Sequence, residues 1–73
     1  MDEQALYIES VVESAVKQLG VRYGHVAADT VKQRLTMLIL NSTRIKVISD
    51  YVKQVDYCVK IGEHLIYEYA KSN

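Results

Sequence analysis

The strongest constraint on this chain lies in its last third. There Val55-Asp56-Tyr57-Cys58-Val59-Lys60-Ile61 is followed by Gly62-Glu63-His64 and then by Leu65-Ile66-Tyr67-Glu68-Tyr69-Ala70. Val55, Tyr57, Val59 and Ile61 alternate with Asp56, Cys58 and Lys60. Leu65, Tyr67 and Tyr69 alternate with Ile66, Glu68 and Ala70. A period of two in residues rich in Val, Ile and Tyr is the signature of a strand, and a lone glycine between two such runs marks a turn. The pattern predicts a β-hairpin over 55–70. A three-residue turn sets Ile61 opposite Leu65, Val59 opposite Tyr67 and Tyr57 opposite Tyr69, with the apolar residues of both arms on one face.

The same stretch carries a second period. Ile45, Ile48, Val52, Val55, Val59, Gly62, Ile66 and Tyr69 recur at alternating steps of three and four. That heptad makes residues 44–71 one long helix and the chain an all-α three-helix bundle. Gly62 then occupies a core position at a cost of roughly 1 kcal/mol against Ala. Tyr57, Ile61, Leu65 and Tyr67 are left as a second stripe. On these grounds the hairpin is the leading expectation and the long helix its alternative.

Upstream, Ala5, Ile8, Val11, Val12, Ala15, Val16 and Leu19 follow helical spacing, so a first helix is expected over about 3–19, with Asp2 and Gly20 as caps. Gly20 to Ala28 reads as a connector. Thr30 with Gln33 is a candidate capping box, with Asp29 as an alternative cap, and Val31, Leu35, Leu38 and Ile39 mark the buried face of a second helix ending near Asn41. Ser42 and Thr43 suit the start of a third helix running to about Gln54, with Ile45, Ile48 and Val52 inward.

The order helix, helix, tight turn, helix, strand, turn, strand resembles the winged helix-turn-helix family of DNA-binding domains. Residues Asn41-Ser42-Thr43-Arg44-Ile45-Lys46-Val47-Ile48-Ser49-Asp50-Tyr51-Val52-Lys53-Gln54-Val55 resemble its recognition helix, and the stretch through Gly62 to Tyr69 resembles its wing. The resemblance covers nearly the whole chain as a pattern and implies an α+β fold of three helices and a C-terminal β-hairpin. Seventy-three residues make a single domain over 1–73.

Net charge is zero, with nine cations and nine anions. Their order along the chain is uneven. Residues 1–29 carry two cations against five anions, residues 30–60 six against two, and residues 61–73 one against two. A cationic middle segment is what phosphate binding asks of a sequence. A helix entering the major groove reads bases from its N-terminal end. The expected DNA contacts are therefore Ser42, Thr43, Arg44, Lys46 and Val47 on helix three, Lys32 and Arg34 on helix two, Lys53, and Lys60 and His64 at the wing. Glu63 at the wing tip opposes phosphate. Tyr57, Tyr67 and Tyr69 suit either base stacking or, more simply, cross-strand packing.

The function expected on this reading is a small regulator of transcription on double-stranded DNA. The alternative is a winged-helix or all-α module that binds other proteins and not DNA. A wide apolar stripe on helix one, with both Val11 and Val12, suggests a homodimer through that helix. No catalytic set, metal-ligand cluster or Gly-rich phosphate loop is visible, so no enzyme activity, cofactor, metal or small-molecule ligand is expected. Cys58 has no partner and reads as structural. No run approaches the length of a membrane span, and Met-Asp-Glu-Gln lacks the basic start of a secretory signal, so a cytoplasmic protein is expected.

Overall fold

A computed structural model describes residues 3–72. The elements are four helices: α1 (Glu3–Tyr23), α2 (His25–Leu40), the single turn α3 (Arg44–Val47) and α4 (Tyr51–Ser72). Among the described residues there is no strand. The expected hairpin over 55–70 is instead the body of α4, so the α+β winged-helix reading is corrected to an all-α bundle. The long-helix alternative holds from Tyr51 onward but not from residue 44.

The burial pattern explains the correction. In α4 the buried residues are Gln54, Val55, Cys58, Val59, Gly62, Leu65 and Ile66. Cys58–Val59 and Leu65–Ile66 are adjacent buried pairs. A one-sided strand sends neighbours to opposite faces, whereas a helix buries such pairs on one broad stripe. The apparent alternation arises because Tyr57 and Ile61 are half-buried on the flank of that stripe.

Gly62 has a packing reason to be glycine. A Cβ at this position would overlap Leu19 Cδ1 and would sit 3.4 Å from Leu35 Cδ2. Leu19 and Leu35 are fully buried. The glycine therefore admits side chains from α1 and α2 into the surface of α4, and this contact offsets its poor helix propensity.

Helix α1 runs four residues beyond its expected end. Gly20 stays helical, and the His25 ring covers the space where its Cβ would stand, with Nδ1 at 3.0 Å. The break falls at Gly24, whose φ of 91° lies in the left-handed region that glycine reaches without steric cost. α2 starts at once, so the expected connector is one residue long. Thr30 lies inside α2, where its hydroxyl donates to the Val26 carbonyl at 2.7 Å rather than capping a helix start.

The helix expected over 42–54 is divided. Ile48 is extended, with ψ 115°. Asp50 starts α4 afresh: its Oδ1 accepts the Val52 N–H at 3.0 Å, and its carbonyl accepts the Gln54 N–H at 2.9 Å. Ile45 is fully buried as expected, but Val52 is 71% exposed. Gln54 closes the joint. Its amide nitrogen donates to the carbonyls of Ile45 (3.3 Å) and Ile48 (2.7 Å), and its oxygen accepts a short hydrogen bond from the Tyr7 hydroxyl on α1.

The helices run up, down and up. Leu35 meets Gly62 while Thr30 and Val31 share a cleft with Leu65 and Tyr69, so α2 is antiparallel to α4. Tyr7 meets Gln54 while Arg22 meets Glu63, so α1 is parallel to α4. The core joins Ile8, Val11, Val12, Ala15 and Leu19 of α1 to Ala28, Val31, Leu35 and Ile39 of α2 and to the α4 stripe. Val11 and Val12 are both buried within the chain, so the apolar excess expected to dimerise helix one is already covered. No described helix is long and apolar enough to cross a membrane.

Candidate protein-interaction face

The residues expected to bind DNA are dispersed by the fold. Lys32 and Arg34 lie on opposite flanks of α2. Lys32 shares a groove with Glu9 and Glu13 of α1, and Arg34 shares a cleft with Glu68 of α4. Lys60 pairs with Asp56 at 3.7 Å. His64 stands beside Glu63 and Tyr67, near Tyr23. Lys53 borders a groove with Asp56. Arg44, Lys46 and Val47 are exposed on the single-turn α3, preceded by exposed Thr43. The Ser42 hydroxyl is used locally, accepting the Ile45 N–H at 3.4 Å. The cationic middle of the sequence is therefore not a cationic face, and helix three is too short to lie along a groove. The three tyrosines also separate: Tyr57 is half-buried, Tyr67 stands near Tyr23, and Tyr69 lies across from Thr30.

Glu63, expected at a wing tip, is instead a tie between α4 and α1. Its Oε2 accepts the Tyr23 hydroxyl at 2.6 Å and Arg22 Nη1 at 3.2 Å. The Tyr23 hydrogen bond first, then Arg22, holds its carboxyl below the usual range, and the same bond raises the Tyr23 hydroxyl.

Two open grooves flank α4. The first, about 450 Å³, runs between α1 and α4 and includes Ser14, Gln18, Tyr51, Val55 and Asp56. Two of its hydroxyls, those of Ser14 and Tyr51, are bonded to each other. The Tyr51 hydroxyl lies 3.3 Å from Ser10 Oγ and 2.8 Å from Ser14 Oγ, and these bonds, that to Ser10 first, hold it below its ordinary pKa. The Tyr51 ring meets Tyr7 edge to face at 6.0 Å.

The second cleft, about 590 Å³, runs between α2 and α4 and is lined by Thr30, Val31, Arg34, Leu65, Glu68 and Tyr69 among others. Helical spacing extends both walls beyond the cleft. Leu38 follows Arg34 by four and Val31 by seven, so it continues the α2 wall. Ile61 and Tyr57 precede Leu65 by four and eight, so they continue the α4 wall. Leu38 was expected in the core but is 43% exposed, and Tyr69 is 47% exposed. With the half-buried Tyr57 and Ile61 they form an apolar line beside the cleft.

The sequence reading assigned no role to this face. Its signal was present in the spacing Val31–Leu35–Leu38–Ile39, in which Leu38 stands at the edge of the apolar stripe. Cys58 lies beneath, fully buried, and burial pushes its thiol up to about 11. Among the described residues no cluster of three or more His, Cys, Asp or Glu is placed to hold a metal ion. Comparison with known proteins finds no matching family model, no matching curated protein and no matching solved structure.

Proposed function

We propose that this chain is an all-α protein-interaction module that does not bind DNA, and that its docking face is the α2–α4 side. The observation that carries this reading is the apolar line of Leu38, Tyr57, Ile61 and Tyr69 along an open cleft. An exposed apolar strip framed by polar residues is the surface that partner helices cover. The placement of the cations supports it further. Lys60 is paired with Asp56, and Lys32, Arg34 and Lys53 each share a groove with a carboxylate, which weakens the local field a phosphate backbone would require. A cytoplasmic location belongs to the proposal, and the unpaired, buried thiol of Cys58 speaks for it.

Two measurements test the reading together. Titration with mixed duplex DNA at low and moderate salt is expected to show no binding. A photo-crosslinking residue at position 38, in cells that make the protein, is expected to capture protein, while one at Lys17 on the outer side of α1 captures none. Tight DNA binding that falls steeply with salt would overturn the proposal, as would the absence of any protein adduct at position 38.

A further inference from the structure

We infer that the partner at the α2–α4 face is a second copy of this chain, docked about a twofold axis parallel to the helices. The inference rests on the interaction-module reading and names its partner.

Direction is the first argument. Within one chain α2 and α4 are antiparallel. A twofold axis lying in their shared face and parallel to them sets α2 of one copy over α4 of the other, again antiparallel. Four helices then surround a common seam, each antiparallel to both neighbours, which is the arrangement of an up-down four-helix bundle.

Charge is the second argument. Arg34 and Glu68 line one cleft from its α2 and α4 walls, and with Leu35 level with Gly62 they stand roughly 7 Å apart along the helices, a step that two long side chains span. Among the described residues the ion pairs are Arg22–Glu63 and Lys60–Asp56, and neither includes Arg34 or Glu68. Rotation about an axis parallel to the helices leaves height unchanged. It therefore brings Arg34 of each copy within side-chain reach of Glu68 of the other. Leu38, below them, meets Tyr57 and Ile61 of the second copy by the same operation. The face is thus complementary to itself in sign and in apolar content.

Size is the third argument. The molecule measures 36 × 21 × 20 Å. Its long side sets an upper limit on the footprint that is close to the roughly 800 Å² per partner a stable interface uses.

Sedimentation of the full chain tests the inference. Wild type is expected to dimerise reversibly with concentration. Arg34→Glu and Glu68→Arg are each expected to weaken the dimer on the order of tenfold or more, because each homodimer then faces like charges. An equimolar mixture of the two variants is expected to recover wild-type affinity, because both cross-pairs regain opposite signs. Circular dichroism of each variant alone confirms that its helices are retained.

A wild type that stays monomeric at its highest soluble concentration overturns the inference, as do single variants that dimerise like wild type or a mixture that fails to recover. If the wild type is monomeric while position 38 captures a different protein, self-docking alone has failed and the interaction module stands. Salt-steep DNA binding would remove both.

Discussion

Gly62 and Leu19 form a hole and its plug, and stability should depend on both. Ala is the better helix former by roughly 1 kcal/mol, so Gly62→Ala on an exposed helix would stabilise. Here the added methyl meets Leu19, which is fully buried and hemmed in by the core. We expect overpacking to win, with a net loss of about 1–3 kcal/mol in urea denaturation. Leu19→Ala should cost about 2–5 kcal/mol in the native background and distinctly less beside Gly62→Ala, because the new methyl fills part of the cavity. The three-four spacing through Gly62 was legible in the sequence. The reason for the glycine was not, since it depends on a side chain from a distant helix. Propensity alone therefore made position 62 look like a turn.

At the scale of elements, the joint between α3 and α4 shows why a continuous helix over 42–54 was expected and did not form. Ile45, Ile48 and Val52 keep helical spacing, but Ser49-Asp50 supplies a strong new N-cap and Gln54 holds the preceding carbonyls from within. The sequence reading ran the helix through this cap without marking it. The clamp was not visible either, because a glutamine on an apolar stripe reads as an exposed residue until its partners are known. Gln54→Leu keeps the volume but leaves the Ile45 and Ile48 carbonyls without this donor. It should cost about 1–3 kcal/mol, with accelerated amide hydrogen exchange concentrated around α3. The tie between α1 and α4 at Glu63 has a pH signature. Because the folded carboxyl titrates below the unfolded one, its contribution is present above the usual carboxylate range and is lost as pH falls through the folded value. Glu63→Gln should flatten that acid limb of the stability profile while leaving its neutral-to-alkaline shape similar, as followed by thermal melts across pH.

For the whole molecule, the sequence revealed most of the core and little of its assembly. The stripe of helix one and the buried positions Val31, Leu35, Ile39 and Ile45 were all readable from period alone. The proposed docking face was not, because Leu38 looked like one more core residue and only packing shows that it is left partly exposed. The direction of the helices was hidden too, since it hangs on the single residue at which α1 turns into α2. That break at Gly24 has a consequence in time. A one-residue connection brings α1 and α2 together at almost no loop-closure cost, whereas α4 must wait for the irregular stretch around α3 to settle. The α1–α2 hairpin should therefore be present at the rate-limiting barrier, with α4 arriving afterwards. In stopped-flow refolding, Val12→Ala, facing Thr36 and Lys32 of α2, should slow folding with a φ-value of about 0.5–0.8. Val55→Ala, on the α4 side near Ser14 and Gln18, should chiefly speed unfolding, with φ about 0–0.3. Gly24 thus sets the order of events as well as the shape, and the half of the protein it joins is the half expected to form first.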